Sequence, residues 1–247
     1  MTKTYSIDIN ADLGEGIGNE EMLMPFLSSC NIACGGHAGD RSIMQNVLIL
    51  AKQHYVKVGA HPSFPDRENF GRSIMDIEPK ELRKSLLYQV QTLKTLADGL
   101  GLELNHIKPH GALYNLITID KETANIVVET IKDLDFEVKL YAPFNSVVAK
   151  LAIANDIEVV YEAFADRNYN EDLNLVSRKL NNAIKHKKEE ILSHVLGVVK
   201  DQKVITVNHQ ERMIKASTFC VHGDTENVLE IVRYLISELP KNGVEVE

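Results

Sequence analysis

The segment Thr4-Tyr-Ser-Ile-Asp-Ile-Asn10 alternates polar and apolar residues and leads directly into Ala-Asp12-Leu-Gly14-Glu15-Gly16. Such alternation predicts a β-strand, and acidic residues beside glycines follow it. Other short segments alternate or are rich in β-branched or aromatic residues, which predicts seven strands in all. The predicted strands are Thr4–Asn10, Ser29–Ala33, Tyr55–Ala60, Leu102–Lys108, Phe136–Tyr141, Ile157–Ala163 and Ala216–His222.

Helical patterns separate most of these strands. The clearest begins at Pro79, which suits a first helical position, and ends near Gly99. The residues able to cap the other helices are Asp40, Asp120 and either Asp224 or Thr225. Alternating strands and helices imply parallel strands joined by right-handed crossovers. We therefore predict an α/β fold, a single-domain seven-stranded parallel (β/α) barrel over residues 1–247, although an open doubly wound sheet would show the same alternation.

Titratable side chains follow six of the predicted strands. Those strand ends are Asn10–Gly16, Cys34–Asp40, Gly59–Asp66, Lys108–Asn115, Glu162–Arg167 and His222–Asp224. The carboxyl ends of parallel barrel strands converge on one face, where such folds build active sites. Four histidines, at least four carboxylates, one lysine and one arginine would share that face.

Each of these side chains taken alone has a structural interpretation. Asp12, Asp40 and Asp224 stand before helical segments and could be helix caps. His106 lies inside a predicted strand and is expected to be a hydrogen-bonded wall residue, and Cys34 a small buried one. Because six strand ends repeat the same chemistry, the whole set favours a functional site over coincidence.

Two kinds of chemistry fit these strand ends. The His and Asp side chains suit a divalent metal, with Asp12, His37, His61 and His110 as candidate ligands. They suit metal-free general acid–base catalysis equally well, and the spacing does not separate the two. The sequence has no phosphate-binding P-loop, no dinucleotide fingerprint and no Gly-x-Ser-x-Gly elbow.

Composition excludes several other classes of protein. A net charge of −8 argues against nucleic acid as a partner. No apolar run approaches the roughly 18 residues of a membrane helix, and the first residues do not form a signal peptide pattern. Three cysteines without a framework spacing indicate free thiols, so we expect a cytoplasmic protein.

The strand-end motifs resemble those of the LamB/YcsF family. The matching stretches are Asp8–Glu15, Asn31–Asp40, Val58–Asp66, Ile107–Asn115, Glu162–Arg167 and Cys220–Asp224. They follow the family's order over nearly the whole chain, and the resemblance implies a barrel of the glycoside hydrolase/deacetylase type. After the sixth strand the pattern departs from the family, and residues 166–188 are expected to form an irregular excursion from the barrel.

The resemblance also implies an activity, namely ATP-dependent hydrolysis of 5-oxo-L-proline to L-glutamate with ADP and phosphate. ATP would be a co-substrate, and 5-oxoprolinase subunits B and C would be partners. The catalytic candidates that it implies are Asp12, Glu15, His37, His61, His110 and His222. The substrate-binding candidates that it implies are Lys108, Arg167, Asp40 and Asp166.

Phosphorylation of the lactam oxygen would remove the amide resonance that protects the ring, after which an activated water could attack. Arg167 is favoured over Lys108 as the partner of the substrate carboxylate, because a guanidinium can donate two parallel hydrogen bonds. The alternative is that Arg167 only forms an ion pair with Asp166 or Glu162 and braces the loop. Two other functions fit the same site, a metal-dependent deacetylase or amidohydrolase acting alone and a non-catalytic subunit that binds a small carboxylate.

Overall fold

Seven parallel strands close into a barrel in the computed structural model, which describes residues 4–247. The barrel strands are β1 (Tyr5–Leu13), β2 (Ser29–Ala33), β3 (Lys57–His61), β4 (Leu104–Ile107), β5 (Lys139–Pro143), β6 (Val159–Phe164) and β9 (Thr218–Cys220). The strands outside the barrel are β7 (Lys203–Ile205), β8 (Glu211–Met213) and β10 (Val244–Val246). Strands β1 to β6 pair in chain order, and β9 pairs with both β6 and β1 to close the barrel. The predicted seven-stranded barrel is therefore confirmed.

Helices cover the outside of the barrel. They are α1 (Glu20–Leu23), α2 (Arg41–His54), α3 (Pro79–Gly99), α4 (Gly111–Leu116), α5 (Lys121–Lys132), α6 (Val147–Ala154), α7 (Lys188–Leu196) and α8 (Val228–Glu238). Short 3₁₀ turns span Met24–Phe26 and Pro240–Asn242, and a π-helical turn spans Gly197–Asp201. No helix in the described part of the chain is long and apolar enough to cross a membrane.

The helix ends test the predicted caps. The Asp40 carboxylate accepts a hydrogen bond from the backbone N–H of Ile43, and Asp120 caps α5 in the same way, as predicted. The predicted cap of α8 is wrong, because the residue before that helix is Asn227. The two residues that were predicted to cap α8 have other partners. Thr225 donates a hydrogen bond to Asp166, and Asp224 forms ion pairs with two arginines.

Three strands outside the barrel complete the architecture. Strand β10 pairs in parallel with the first residues of β1, so the C-terminal segment extends the sheet at that point. Strands β7 and β8 form an antiparallel hairpin that the sequence pattern did not predict. Between β6 and α7 the chain follows an irregular path held by isolated bridges, Arg167 with Ile184 and Tyr169 with Leu175. This is the excursion expected over residues 166–188.

The first strand shows why its sequence alternates. Ile7, Ile9 and Leu13 belong to the large hydrophobic core. The intervening side chains, including Asn10 and Asp12, form hydrogen bonds with other polar groups. Since Asn10 bonds to Glu162 on β6, which is not a neighbour of β1 in the sheet, these bonds cross the interior of the barrel. The barrel interior is therefore polar at this level.

Gly59 on β3 makes one of these interior contacts possible. It pairs with Asn31 on one side and with His106 on the other. The His106 ring passes over it, so that Nε2 lies 2.7 Å from Oδ1 of Asn31, and stacks on Tyr141. A Cβ at Gly59 would lie 2.1 Å from that Nε2, which leaves no space for any side chain. The expected role of His106 as a hydrogen-bonded wall residue is confirmed.

We predict that Gly59→Ala lowers the free energy of unfolding by about 1–3 kcal/mol, because the added methyl group displaces the buried His106 ring from Asn31. Urea denaturation followed by circular dichroism measures this change. The matched control is Gly99→Ala in the last turn of α3, where a Cβ meets no atom within 4 Å. That control is expected to be neutral or slightly stabilising, and equal stability of the two variants would contradict the packing argument.

Candidate active site

A cavity of about 590 Å³ opens at the carboxyl ends of the barrel strands. This volume is within the usual range for small-molecule sites. The sequence-predicted residues that line it are Asp12, Glu15, His61, Lys108, His110, Arg167 and His222. The strand ends thus bring together most of the predicted candidates, although the roles of the individual residues stay predictions.

Lys108 forms the polar floor of this cavity. Its side chain is 2% exposed, and its Nζ lies 2.9 Å from both Oδ1 of Asp12 and Oε1 of Glu162. Burial alone would lower the pKa of Lys108, but the carboxylate of Asp12 and other nearby acidic groups, Glu162 among them, raise it well above its usual value. The ammonium group is thus already paired with two carboxylates.

Further hydrogen bonds fix those carboxylates. Glu162 accepts from the Tyr114 hydroxyl at 2.7 Å and from the Asn10 amide at 3.0 Å. Asp12 accepts from the Asn31 amide at 2.8 Å. Burial would raise the pKa of Asp12, but the positive charges of His61 and Lys108 hold it well below its usual value. Both acids are thereby fixed in one orientation.

Glu15 lies at the centre of a histidine cluster. Its Oε1 is 3.0 Å from Nε2 of His37, 3.2 Å from Nδ1 of His110 and 3.7 Å from Nε2 of His61. The facing ring nitrogens of His61 and His110 are 3.0 Å apart, and the rings of His37 and His110 are stacked at 3.6 Å. All four side chains are nearly or fully buried.

Burial and charge set the protonation of this cluster. Burial lowers the pKa of His37 to about 4 and also lowers that of His110, against the opposing effect of Glu15. Burial would raise the pKa of Glu15, but hydrogen bonds with His110 and His37 bring it far below its usual value. The pKa of His61 is raised, because the attraction of Asp12 outweighs its burial. Glu15 is thus an anion beside the neutral imidazoles of His37 and His110.

His222 lines the same cavity and is held by Asp166. Its Nδ1 lies 2.9 Å from Oδ1 of Asp166. Oδ2 of Asp166 accepts from the backbone N–H of His222 and from the Thr225 hydroxyl. The ring stacks on Phe164 and retains 13% side-chain exposure. Because a carboxylate only accepts, Nδ1 of His222 is the donor in this contact, and in the neutral ring Nε2 is the nitrogen with the free lone pair.

Three predicted substrate-binding residues have other partners. Asp40 caps α2 and is exposed outside the cavity, so the structure does not bring it into the site. Asp166 is fully buried and contacts His222 rather than open space. Arg167 lines the cavity, but its guanidinium donates to the carbonyl oxygens of Val176 and Ala183. Arg167 therefore braces the loop, as in the alternative interpretation, but it does so through backbone carbonyl groups rather than through an ion pair.

The rim of the cavity holds a pair of arginines that sequence reasoning missed. Arg178 and Arg72 both contact Oδ2 of Asp224, at 2.6 and 3.2 Å. Two guanidinium groups share one carboxylate, so the rim carries a positive charge next to the cavity. Arg178 lies in the irregular excursion after β6, where no periodic pattern marks a site. Glu162 belongs to one of the predicted strand ends but was given no role in the site, because its ion pair with Lys108 joins residues distant in the chain.

The fold and this site define the chain as a β/α-barrel protein with a histidine- and carboxylate-lined cavity at the carboxyl ends of its strands. At the level of fold alone, it is similar to a GH18 chitinase from Pseudoalteromonas aurantia, with a TM-score of 0.54 and 7% identity over 94% of this chain and 100% of the other. The LamB/YcsF family model matches residues 7–247. The chain belongs to the LamB/YcsF family.

Individual relatives match along their whole length. The A subunit of 5-oxoprolinase from Pyrococcus horikoshii is 42% identical over 97% of this chain and 96% of its own. The protein of the same name in Histophilus somni is 40% identical over 97% of both chains. The crystal structure of a lactam utilization protein from Thermus thermophilus has a TM-score of 0.90 at 35% identity, covering 98% of this chain and 99% of that one.

We predict that Lys108→Met lowers the free energy of unfolding by about 3–5 kcal/mol, because it leaves Asp12 and Glu162 as uncompensated buried charges. Urea denaturation at neutral pH measures the loss. Lys57→Met is the matched control, since Lys57 forms an exposed ion pair with Glu247, and such pairs are worth about 1 kcal/mol or less. If Lys108→Met were no more damaging than this control, the buried triad would not be a structural element.

Proposed function

We propose that this chain is the A subunit of a 5-oxoprolinase, which converts 5-oxo-L-proline, water and ATP into L-glutamate, ADP and phosphate together with subunits B and C. The observation that carries the proposal is the full-length similarity to relatives that bear the name of this A subunit. The cavity at the barrel mouth supports it, because it offers paired acids and bases in a space that suits a small lactam.

The chemistry explains why ATP would be needed. The lactam is an amide, and resonance makes its carbonyl carbon a poor electrophile. Transfer of the γ-phosphoryl group of ATP to the lactam oxygen removes that resonance. Water then adds to the ring carbon, the ring C–N bond breaks with a proton delivered to nitrogen, and hydrolysis of the resulting acyl phosphate releases phosphate. We assign ATP binding to the partner subunits and ring opening to this chain.

His222 is the proposed general base for the attacking water. Its Nε2 bears the lone pair, and Asp166 holds the ring through Nδ1 and stabilises the imidazolium that forms. The same nitrogen can then return the proton to the ring nitrogen as the C–N bond breaks. Of the four candidate histidines, His222 is the one with 13% side-chain exposure at the cavity, which suits contact with a bound water.

The rim arginines are the proposed partners of the substrate's negative charge. An anion entering the cavity needs a counter-charge when it leaves water. Lys108 is neutralised by two acids, and Arg167 bonds to backbone carbonyls. Arg178 and Arg72 share the single carboxylate of Asp224, which leaves one guanidinium charge for a carboxylate or phosphoryl group.

The proposal predicts that glutamate is released from 5-oxoproline and ATP only when this chain is mixed with subunits B and C. Replacement of His222 by Asn should lower the turnover of the reconstituted enzyme by about 100-fold or more, the contribution of a positioned general base. His186→Asn is the matched control, since that residue is exposed and outside the cavity. Glutamate release is measured by a coupled assay.

Other outcomes would decide for other functions. Metal-dependent amide hydrolysis by the isolated chain without ATP would indicate a deacetylase or amidohydrolase that acts alone. Tight binding of a small carboxylate without turnover in any mixture would indicate a binding subunit. Full turnover by His222→Asn with the partners present would leave the 5-oxoprolinase assignment intact and assign the base to another residue.

For the rim, we predict that Arg178→Gln raises the KM for 5-oxoproline by about 10- to 100-fold, the range expected for loss of one charged hydrogen bond. The neutral analogue 2-pyrrolidinone, which lacks the carboxylate, should be affected much less. Arg83→Gln is the matched control, because Arg83 pairs with Asp133 outside the cavity. Equal losses for both compounds would show that Arg178 contacts the phosphoryl group or only orders the loop.

A further inference from the structure

The geometry points to a divalent metal site formed by Glu15, His37, His61 and His110, of the zinc class. The inference rests on these four side chains and not on the proposed function. One oxygen and three ring nitrogens, one from each residue, all lie within 4.8 Å of one another. Each follows or ends a different one of the adjacent strands β1 to β4, so the barrel itself assembles the set.

The spacing of the ligand atoms suits tetrahedral coordination. The atom pairs that Glu15 Oε1 makes with the three rings measure 3.0, 3.2 and 3.7 Å, and the pair between His61 and His110 measures 3.0 Å. Zinc with ligands at about 2.0–2.1 Å places those ligands roughly 3.3 Å apart in a tetrahedron. The four measured pairs therefore lie within about 0.4 Å of the tetrahedral separation, and all four ligand atoms lie within 4.8 Å of one another.

The outer hydrogen bonds orient the lone pairs inward. Nδ1 of His61 lies 2.7 Å from the Lys108 carbonyl oxygen, and Nε2 of His110 lies 3.0 Å from the Phe70 carbonyl oxygen. A carbonyl only accepts, so both of those nitrogens are donors. Histidines that bind metals typically donate their other N–H to such a partner, which fixes the ring and the tautomer.

This orientation leaves electron pairs facing one another. Nε2 of His61 and Nδ1 of His110 approach each other and the Glu15 carboxylate, and with the outer nitrogens assigned as donors, these are the two nitrogens that face a bound ion. A single added proton can bridge only one of these contacts. A cation at the centre satisfies all of them together, including the contact of His37 with Glu15.

This ligand set differs from the one predicted from the sequence in a single member, because it contains Glu15 where Asp12 was predicted. Asp12 Oδ1 pairs with Lys108 and accepts from Asn31, while its Oδ2 lies 3.3 Å from Nε2 of His61. Its carboxylate is thus committed to the ammonium group and stands next to the cluster. An ion held by these four protein ligands would have no open coordination position, as in structural zinc sites.

The test uses the full chain after treatment with a chelator, titrated with ZnCl₂ by isothermal calorimetry. We expect the chain to bind one equivalent of zinc. Glu15→Gln and His61→Gln should each weaken that binding by more than about 100-fold, which exceeds the loss of about 10- to 100-fold that is typical when a group hydrogen-bonded to a metal ligand is removed. The matched control is His54→Gln on the exposed end of α2, which should bind as the wild type does. Circular dichroism and thermal melting verify that each variant is folded.

A second measurement does not depend on the variants. Cobalt(II) added to the stripped wild-type chain should give the intense visible absorption of tetrahedral coordination, and one equivalent of zinc should abolish it. Failure of the wild type to take up one equivalent would overturn the inference, as would a weak octahedral cobalt spectrum or unchanged zinc affinity in folded Glu15→Gln. None of these results depends on turnover, so they stand whether or not the chain proves to be part of a 5-oxoprolinase.

Discussion

One buried ammonium group holds the mouth of the barrel together. Lys108 follows β4, yet its Nζ contacts Asp12 on β1 and Glu162 on β6, so the pair of ion contacts spans the interior between strands that are not neighbours. Breaking such a buried pair leaves an uncompensated charge, which is strongly unfavourable. The relative position of three strands at the cavity is therefore fixed by electrostatics as well as by the backbone ladder.

The polar interior explains the other local features. A barrel of this kind usually fills its interior with branched apolar side chains, whereas here Asn10, Asn31 and His106 are joined by hydrogen bonds across it. Buried polar groups are tolerated when each finds a partner, and the small backbone at Gly59 is what lets the His106 ring reach Asn31. The side-chain amides of Asn31 and Asn10 in this interior thus donate hydrogen bonds to Asp12 and Glu162.

The sequence predicted the elements whose signals are local. Strands, the helix beginning at Pro79 and the Asp40 cap depend on neighbouring residues, and all are confirmed. It also predicted that the strand ends share one face, because parallel topology alone requires that. The partners of Lys108 and of Arg167 could not be predicted, since each is set by groups distant in the chain. For the same reason Asp40 was included among the site residues, and Arg178 was not.

The two halves of the mouth meet at Asp12. One oxygen of its carboxylate pairs with Lys108, and the other faces His61 in the histidine cluster. A ring nitrogen of His222, which is bonded to Asp166, lies within 4.8 Å of a carboxylate oxygen of Asp12. A change in charge at the histidine cluster therefore alters the electrostatic environment of the ion pair between Asp12 and Lys108. Since the cluster draws one ligand from each of the first four strand ends, its geometry exists only when those strands are assembled. An ion bound there would stabilise the assembled barrel by its binding energy, which links occupancy of the site to folding.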